Sequence, residues 1–147
     1  MAAAVKDIEK AIIAELKAKL AYLKKVGSLS DILTKKADAF TSIVPAAYVT
    51  YTGGKFSEPG MNYTMQDKAM RFYILVVARN YASQEKLLHG SGSKLGIYEI
   101  VEEIMETLRG KDLGLSIRPL IPVSEQSIDG DQGTIVYGII FTTSCRV

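Results

Sequence analysis

Apolar and polar residues alternate with two periods along this chain, and the longest β-type run extends from Asp67 to Tyr81. Successive side chains of a strand point to opposite faces. Met70, Phe72, Ile74, Val76 and Ala78 therefore share one wholly apolar face. Arg71, Tyr73, Leu75, Val77, Arg79 and Tyr81 share the other, which is apolar in the middle and charged or phenolic at its ends. A strand with one face in water would alternate cleanly, so this pattern predicts a central strand covered at least in part on both sides. Helices of the same chain suit the apolar face. A second layer or a neighbouring subunit suits the mixed one.

Helical periods flank that strand. Val5, Ile8, Ile12, Leu16, Leu20 and Leu23 fall on one side of a helix, which the spacing predicts to run on through Lys24 and Lys25 and to close at Gly27. Ser30 can cap a second, shorter helix lined by Leu33, Ala37 and Phe40, which Pro45 stops. Further on, Lys94 to Arg109 places Leu95, Ile97, Tyr98, Val101, Ile104, Met105 and Leu108 on one side. Glu99, Glu102, Glu103 and Glu106 are expected to face outward, with Gly110 as the stop. Between Tyr81 and this helix, Ser83 to Leu88 suggests a single helical turn, broken by the run from His89 to Ser93.

The remaining segments read as strands and turns. Tyr48 to Tyr51 are β-branched or aromatic and predict a short strand from Ala46 to Thr52, closed by Gly53-Gly54. Lys55 to Gln66 carries Pro59-Gly60 and reads as a loop or an irregular hairpin arm. Its Phe56, Met61, Tyr63 and Met65 suit either a contact surface for protein partners or a fold back over the core. Leu115, Ile117, Ile121 and Val123 alternate with polar residues, and Pro119 and Pro122 mark that strand as an edge or a bulged one. The segment from Ile128 to Gly133 is a turn cluster, and Thr134 to Arg146 a final strand with Ile135, Tyr137, Ile139 and Phe141 on one face. The resulting order, ααββαββ, predicts an α+β fold: a single domain over residues 1–147 in which helices pack on one face of a largely antiparallel mixed sheet.

Composition narrows the function more by exclusion than by signature. The chain has 147 residues, 48% hydrophobic and 23% charged, enough to bury a core without staples. A net charge of +2 gives no concentrated basic face of the kind that marks nucleic-acid or membrane binding. The eight lysines among the first forty residues, set against five acids, read as solvated helix surface. No run approaches a membrane span, and the N-terminus lacks the apolar centre of a signal peptide, so the chain is expected to fold in the cytoplasm. Cys145 is the one cysteine and shares strand parity with Ile139, Phe141 and Thr143, as an inert buried thiol would. His89 is the one histidine, which rules out a two-histidine metal site within one chain. The Gly90 to Lys94 run lacks the spacing of a phosphate cradle, and Asp129-Gly-Asp131 is too short for a calcium loop. We therefore expect no enzyme, no catalytic residue, no metal and no cofactor.

Several spaced patterns together resemble a known family. They are the amphipathic N-terminal helix, Pro45-Ala46-Ala47, the Phe72 to Asn80 strand ending in Arg79-Asn80, and Gly96-Ile97-Tyr98 at the start of the long helix. Leu108-Arg109-Gly110, Leu113-Gly114-Leu115, Pro119-Leu120 and the final Val136 to Thr143 strand come next, in that order. This series resembles the small tail proteins of Mu-like phages and prophages, a family similar to the tail terminators of long-tailed phages. The resemblance implies a tail-terminator-like subunit of the virion tail, assembled in the host cytoplasm. Such a subunit forms a homo-oligomeric ring, commonly a hexamer, at the head-proximal end of the tail tube, where it stops polymerisation and prepares the joint to the head. Its implied partners are further copies of itself, the tube, and sheath or head-tail connector proteins. Genomic DNA would pass through the ring without being recognised, and no membrane is involved. Combined with the pattern of faces, it makes Phe56, Met61, Tyr63, Arg71, Arg79 and Tyr81 the expected protein-contact residues. Another head-tail joining or tail-completion protein would share the architecture; an enzyme or nucleic-acid-binding module has least support.

Overall fold

The computed structural model describes residues 4–29, 45–60, 65–79, 96–128 and 134–147. Helix α1 spans Val5–Lys19, with Asp7 in its first turn and Lys17 and Lys19 in its last, each opposing the helix dipole at its end. Ile8, Ile12 and Leu16, spaced four residues apart, are fully buried. At about 1.5–3 kcal/mol per buried side chain, that stripe holds the helix down. The helix ends at Leu20, seven residues before the expected stop at Gly27. Lys25–Ser28 is instead a strand, β1, paired in parallel with Ala46–Val49. Leu20 and Leu23 remain in the core although the helix has ended. Their spacing fits a tight turn as well as a helix, so periodicity alone could not separate the two. The predicted helix after Ser30 and the predicted turn from Ser83 lie outside the described residues.

Strands β2 (Ala46–Phe56) and β3 (Asp67–Arg79) form an antiparallel hairpin. The sequence places a stop at Gly53-Gly54, but the strand bends there and continues. The pairing shifts between Tyr51 and Gly53, leaving Thr52 as the extra residue of a bulge. Gly53 has a φ of +113°, which a residue with a Cβ rarely adopts. Helix α2 spans Ile97–Leu108 and turns at Gly110, as expected. The segment between Lys111 and Leu120 is irregular, where a strand from Leu115 was expected. It lies against β5 (Thr134–Arg146): the Arg118 N–H donates to the Ser144 carbonyl, and Thr143 Oγ1 donates to the Arg118 carbonyl. Pro119 has no N–H to give a ladder, and regular pairing starts only at Ile121. Strand β4 (Ile121–Ile128) then pairs antiparallel with β5, with a second bulge between Pro122 and Ser124.

The sheet order is β1-β2-β3-β5-β4. The strand predicted to be central is central, bonded along all its length to β5 from Asp67↔Arg146 to Arg79↔Thr134. Met70, Phe72, Ile74, Val76 and Ala78 join Ala47, Val49, Ile139, Phe141 and Cys145 in one core under α1 and α2. The fold is α+β, with both described helices packed against one core and three of the four strand pairings antiparallel. A second, smaller core of Ala46, Tyr48, Leu75, Val77 and Val136 lies on the other face, with Leu29, Tyr73 and Ile128 packed against it. Leu75 and Val77 are thus buried within the single chain, and no neighbour is needed to cover them.

Candidate functional site

The most exposed apolar side chains gather at the edges of the sheet and on the β2–β3 arm. The hairpin does not dissolve into a loop after Phe56. The Ser57 N–H donates to the Asp67 carbonyl and the Gly60 N–H to the Met65 carbonyl, each at 2.8 Å, so the ladder runs on as a narrow arm. Side chains brace its base: the Asp67 N–H donates to Ser57 Oγ and Gln66 Nε2 to the Ser57 carbonyl, both at 2.8 Å. Gln66 and Val147 also exchange backbone bonds, which ties the arm to the end of β5. Phe56 is 59% exposed and Met65 49%. The Lys68 ammonium lies 5.6 Å from the ring centroids of both Phe56 and Tyr51, a contact of under about 1 kcal/mol at an exposed site.

Arg71 lies exposed on the second face of β3, beyond the smaller core. Next to it, Tyr73 lies flat across β5. A Cβ at position 138 would overlap the Tyr73 ring, so Gly138 is what permits the crossing. The Tyr73 hydroxyl there accepts a long bond of 3.5 Å from Gln126 of β4. Arg79 ends β3, but its side chain lies outside the described part of the structure, as do residues Met61, Tyr63 and Tyr81. Of the six expected contact residues, the structure therefore places Phe56 on the arm and Arg71 on the sheet face, both accessible.

Two further surfaces were legible only in part. Among the described residues strand β4 ends the sheet and pairs with β5 alone, as its prolines suggested, and its Ile121 and Val123 are 58% and 52% exposed. On the helix layer, Lys6, Lys10 and Lys17 of α1 and Glu99, Glu102 and Glu106 of α2 are exposed. Glu103 departs from the expected outward row: the Tyr22 hydroxyl donates to its carboxylate. Burial, the bond to Glu103 and the nearby carboxylates push the Tyr22 hydroxyl above its ordinary pKa. Ile100, which the apolar side of the predicted helix left out, is buried in its place. Tyr98, expected to be buried, is 42% exposed and meets Tyr137 edge-on at 6.3 Å between centroids.

Chemically reactive groups are sparse in these surfaces. Cys145 is a buried free thiol among Phe141, Ile139 and Met70 in the main core. A shallow groove of about 260 Å³, open to solvent, runs between Asp67, Ile117, Arg118 and Arg146. Its carboxylate, Asp67, lies 3.4 Å from Arg146 Nε in an exposed pair that contributes little to stability. Among the described residues no three His, Cys, Asp or Glu side chains form a metal-binding group, and no helix is long and apolar enough to cross a membrane.

No curated protein matches the chain. A family does: residues 4–143 match the sequence model described as Bacteriophage Mu, Gp37. That match takes in every described strand and both described helices except the last residues of β5. The chain belongs to the bacteriophage Mu Gp37 family.

Proposed function

We propose that this Mu-like phage protein is a structural component of the tail, a terminator that closes into a ring on the head-proximal end of the tail tube. Membership of the Gp37 family over residues 4–143 carries this reading, together with the tail-protein resemblance of the same segments. The surfaces favour it too. A ring subunit needs two different patches that meet each other on successive copies, and a third that grips the tube. The arm with Phe56 and Met65, the open β4 edge and the charged helix layer are three such surfaces on different parts of one small chain. None of them needs catalysis, a metal or a cofactor to act, and on this reading the protein is not an enzyme. Its partners are copies of itself, the tube and the proteins of the head-tail joint, and its place is the virion tail.

Deleting the gene from an inducible prophage and measuring the tails by electron microscopy tests the role. A terminator predicts tubes that overrun their normal length and carry no heads. Tails of normal length that fail to join heads would instead assign the protein to tail completion or head-tail joining. Infectious particles with normal tails would remove it from tail assembly altogether.

A further inference from the structure

We propose that successive copies join by continuing one another's sheet, β4 of one subunit pairing antiparallel with residues 50–56 of β2 in the next. This contact rests on the ring reading and names the two edges that would build the ring.

The strand order β1-β2-β3-β5-β4 fixes these two edges on opposite sides of the subunit. Strand β4 forms one side: among the described residues it pairs with β5 alone, and every residue from Val123 to Ser127 is exposed. The other side is closed only in part. Strand β1 pairs with β2 from Ala46 to Val49, so beyond Val49 the outer edge of β2 has no partner strand among the described residues. Thr52, Gly54, Lys55 and Phe56 on that stretch are exposed. Alternate residues of such an edge turn their N–H and C=O groups outward, a template for pairing with another strand.

The edges match in direction, level and length. Each step from β2 through β3 and β5 to β4 is antiparallel, so β2 and β4 run in opposite directions. A copy set alongside in the same orientation therefore brings its β4 antiparallel to β2, and the alternation of the sheet continues unbroken. Tyr51 pairs with Phe72, Phe72 with Phe141 and Phe141 with Pro122, which sets the two edges at one level. Both irregularities fall beside that row, between Tyr51 and Gly53 on β2 and between Pro122 and Ser124 on β4, so the two outlines bend together. Strand β2 has 11 residues, of which the 4 of β1 pair with 4, leaving 7 to face the 8 of β4. Each stretch carries a single charge, Lys55 on one and Glu125 on the other, so the edges do not repel. Phe56 at the end of one and Ile121 and Val123 at the start of the other add exposed apolar surface toward the same end of the sheet. Because β4 meets β2, each copy keeps one edge of each kind for its next neighbour. The contact is head-to-tail, the type that closes into rings.

Hydrogen–deuterium exchange on the full-length protein tests this by comparing dissociated subunits with the assembled form. Assembly should slow exchange at about half of the amides in residues 50–56 and in Ile121–Ile128, those turned outward, and leave β3 and β5 unchanged. If the parent assembles without slowing both segments, this contact is wrong while the ring reading stands. Slowing of β4 alone, in a dimer, would overturn the contact as well, since β4 would then pair with its own copy. Proline substitution gives a second measurement. Successive N–H groups of a strand point to opposite sides, so one of Glu125→Pro and Gln126→Pro removes a bond to β5 and the other only an outward group. The variant that keeps the dissociated parent's melting profile should remain monomeric by native mass spectrometry, and its assembly would contradict the pairing. A parent that stays monomeric with and without purified tail tubes overturns both the contact and the ring.

Discussion

At the scale of single residues, the face of α2 decides what each substitution does. Ile104→Ala should cost about 2–5 kcal/mol by leaving a cavity between helix and sheet. Glu102→Ala, on the exposed row, should stay within about 0.5 kcal/mol of the parent. Glu103→Ala falls between them, at about 1–3 kcal/mol, because it takes the acceptor from a partly buried Tyr22 hydroxyl. Denaturant midpoints rank the three, and equal values for Ile104→Ala and Glu102→Ala would mean the helix packs on another face. Sequence periodicity placed most of this face correctly but put Glu103 in the outward row. Its partner lies 81 residues away, and the period of a helix carries no information about what comes to rest beside it. The same pair has a pH signature. Its raised pKa lets folded Tyr22 keep a proton that the unfolded chain loses, so the contribution to stability is whole below about pH 10, the unfolded value, and is lost as pH rises through the folded one. Thermal melts taken across that range should fall more steeply for the parent than for Tyr22→Phe. Parallel curves would deny the pair any such role. Tyr48 and Tyr137, also raised by burial, titrate in both proteins and cancel from the comparison.

Elements were legible where a long period ran uninterrupted, and illegible where pairing decided the structure. The 13 residues of β3 carry their two faces openly, and β5 was bounded as observed. Strand β1 was not. Its four residues continue the apolar spacing of α1, and only their parallel partner, Ala46–Val49, makes them a strand. The glycine pair after Thr52 misled for a related reason: a stop signal in isolation becomes a bulge when Ala69 and Lys68 of β3 are present to pair with Lys55 and Phe56. Changing Phe56 and Met65 together to serine should cost under about 1 kcal/mol, since both are exposed. It should nevertheless weaken capture of tail tubes in a sedimentation assay. Full capture by the folded double variant would show that the arm is not the tube contact.

The molecule as a whole combines a well-filled main core with edges left open. The layer arrangement, the two described helices on one side of a five-stranded sheet with the Asp67 strand at its centre, arises from patterns present in the sequence. The smaller core on the opposite face was harder to read. Tyr73, Leu75 and Val77 announce that something covers them, but not that Leu75 and Val77 are buried with Ala46, Tyr48 and Val136 in a second core within the same chain. That finding moves the expected subunit contact away from the middle of the sheet and toward its ends, where the exposed apolar and charged side chains lie. The candidate surfaces were correspondingly half legible: Phe56, Arg71 and the proline-marked edge were read from the sequence, while the Tyr22–Glu103 contact within the helix layer was not. Ring closure on the tube is tested most directly by electron microscopy of the purified protein, alone and mixed with tail tubes, with the mass of any particle taken from light scattering. Closed rings of one subunit's thickness, seated on a single end of each tube, are the expected result. A protein that remains monomeric at every concentration and leaves both tube ends bare would contradict it.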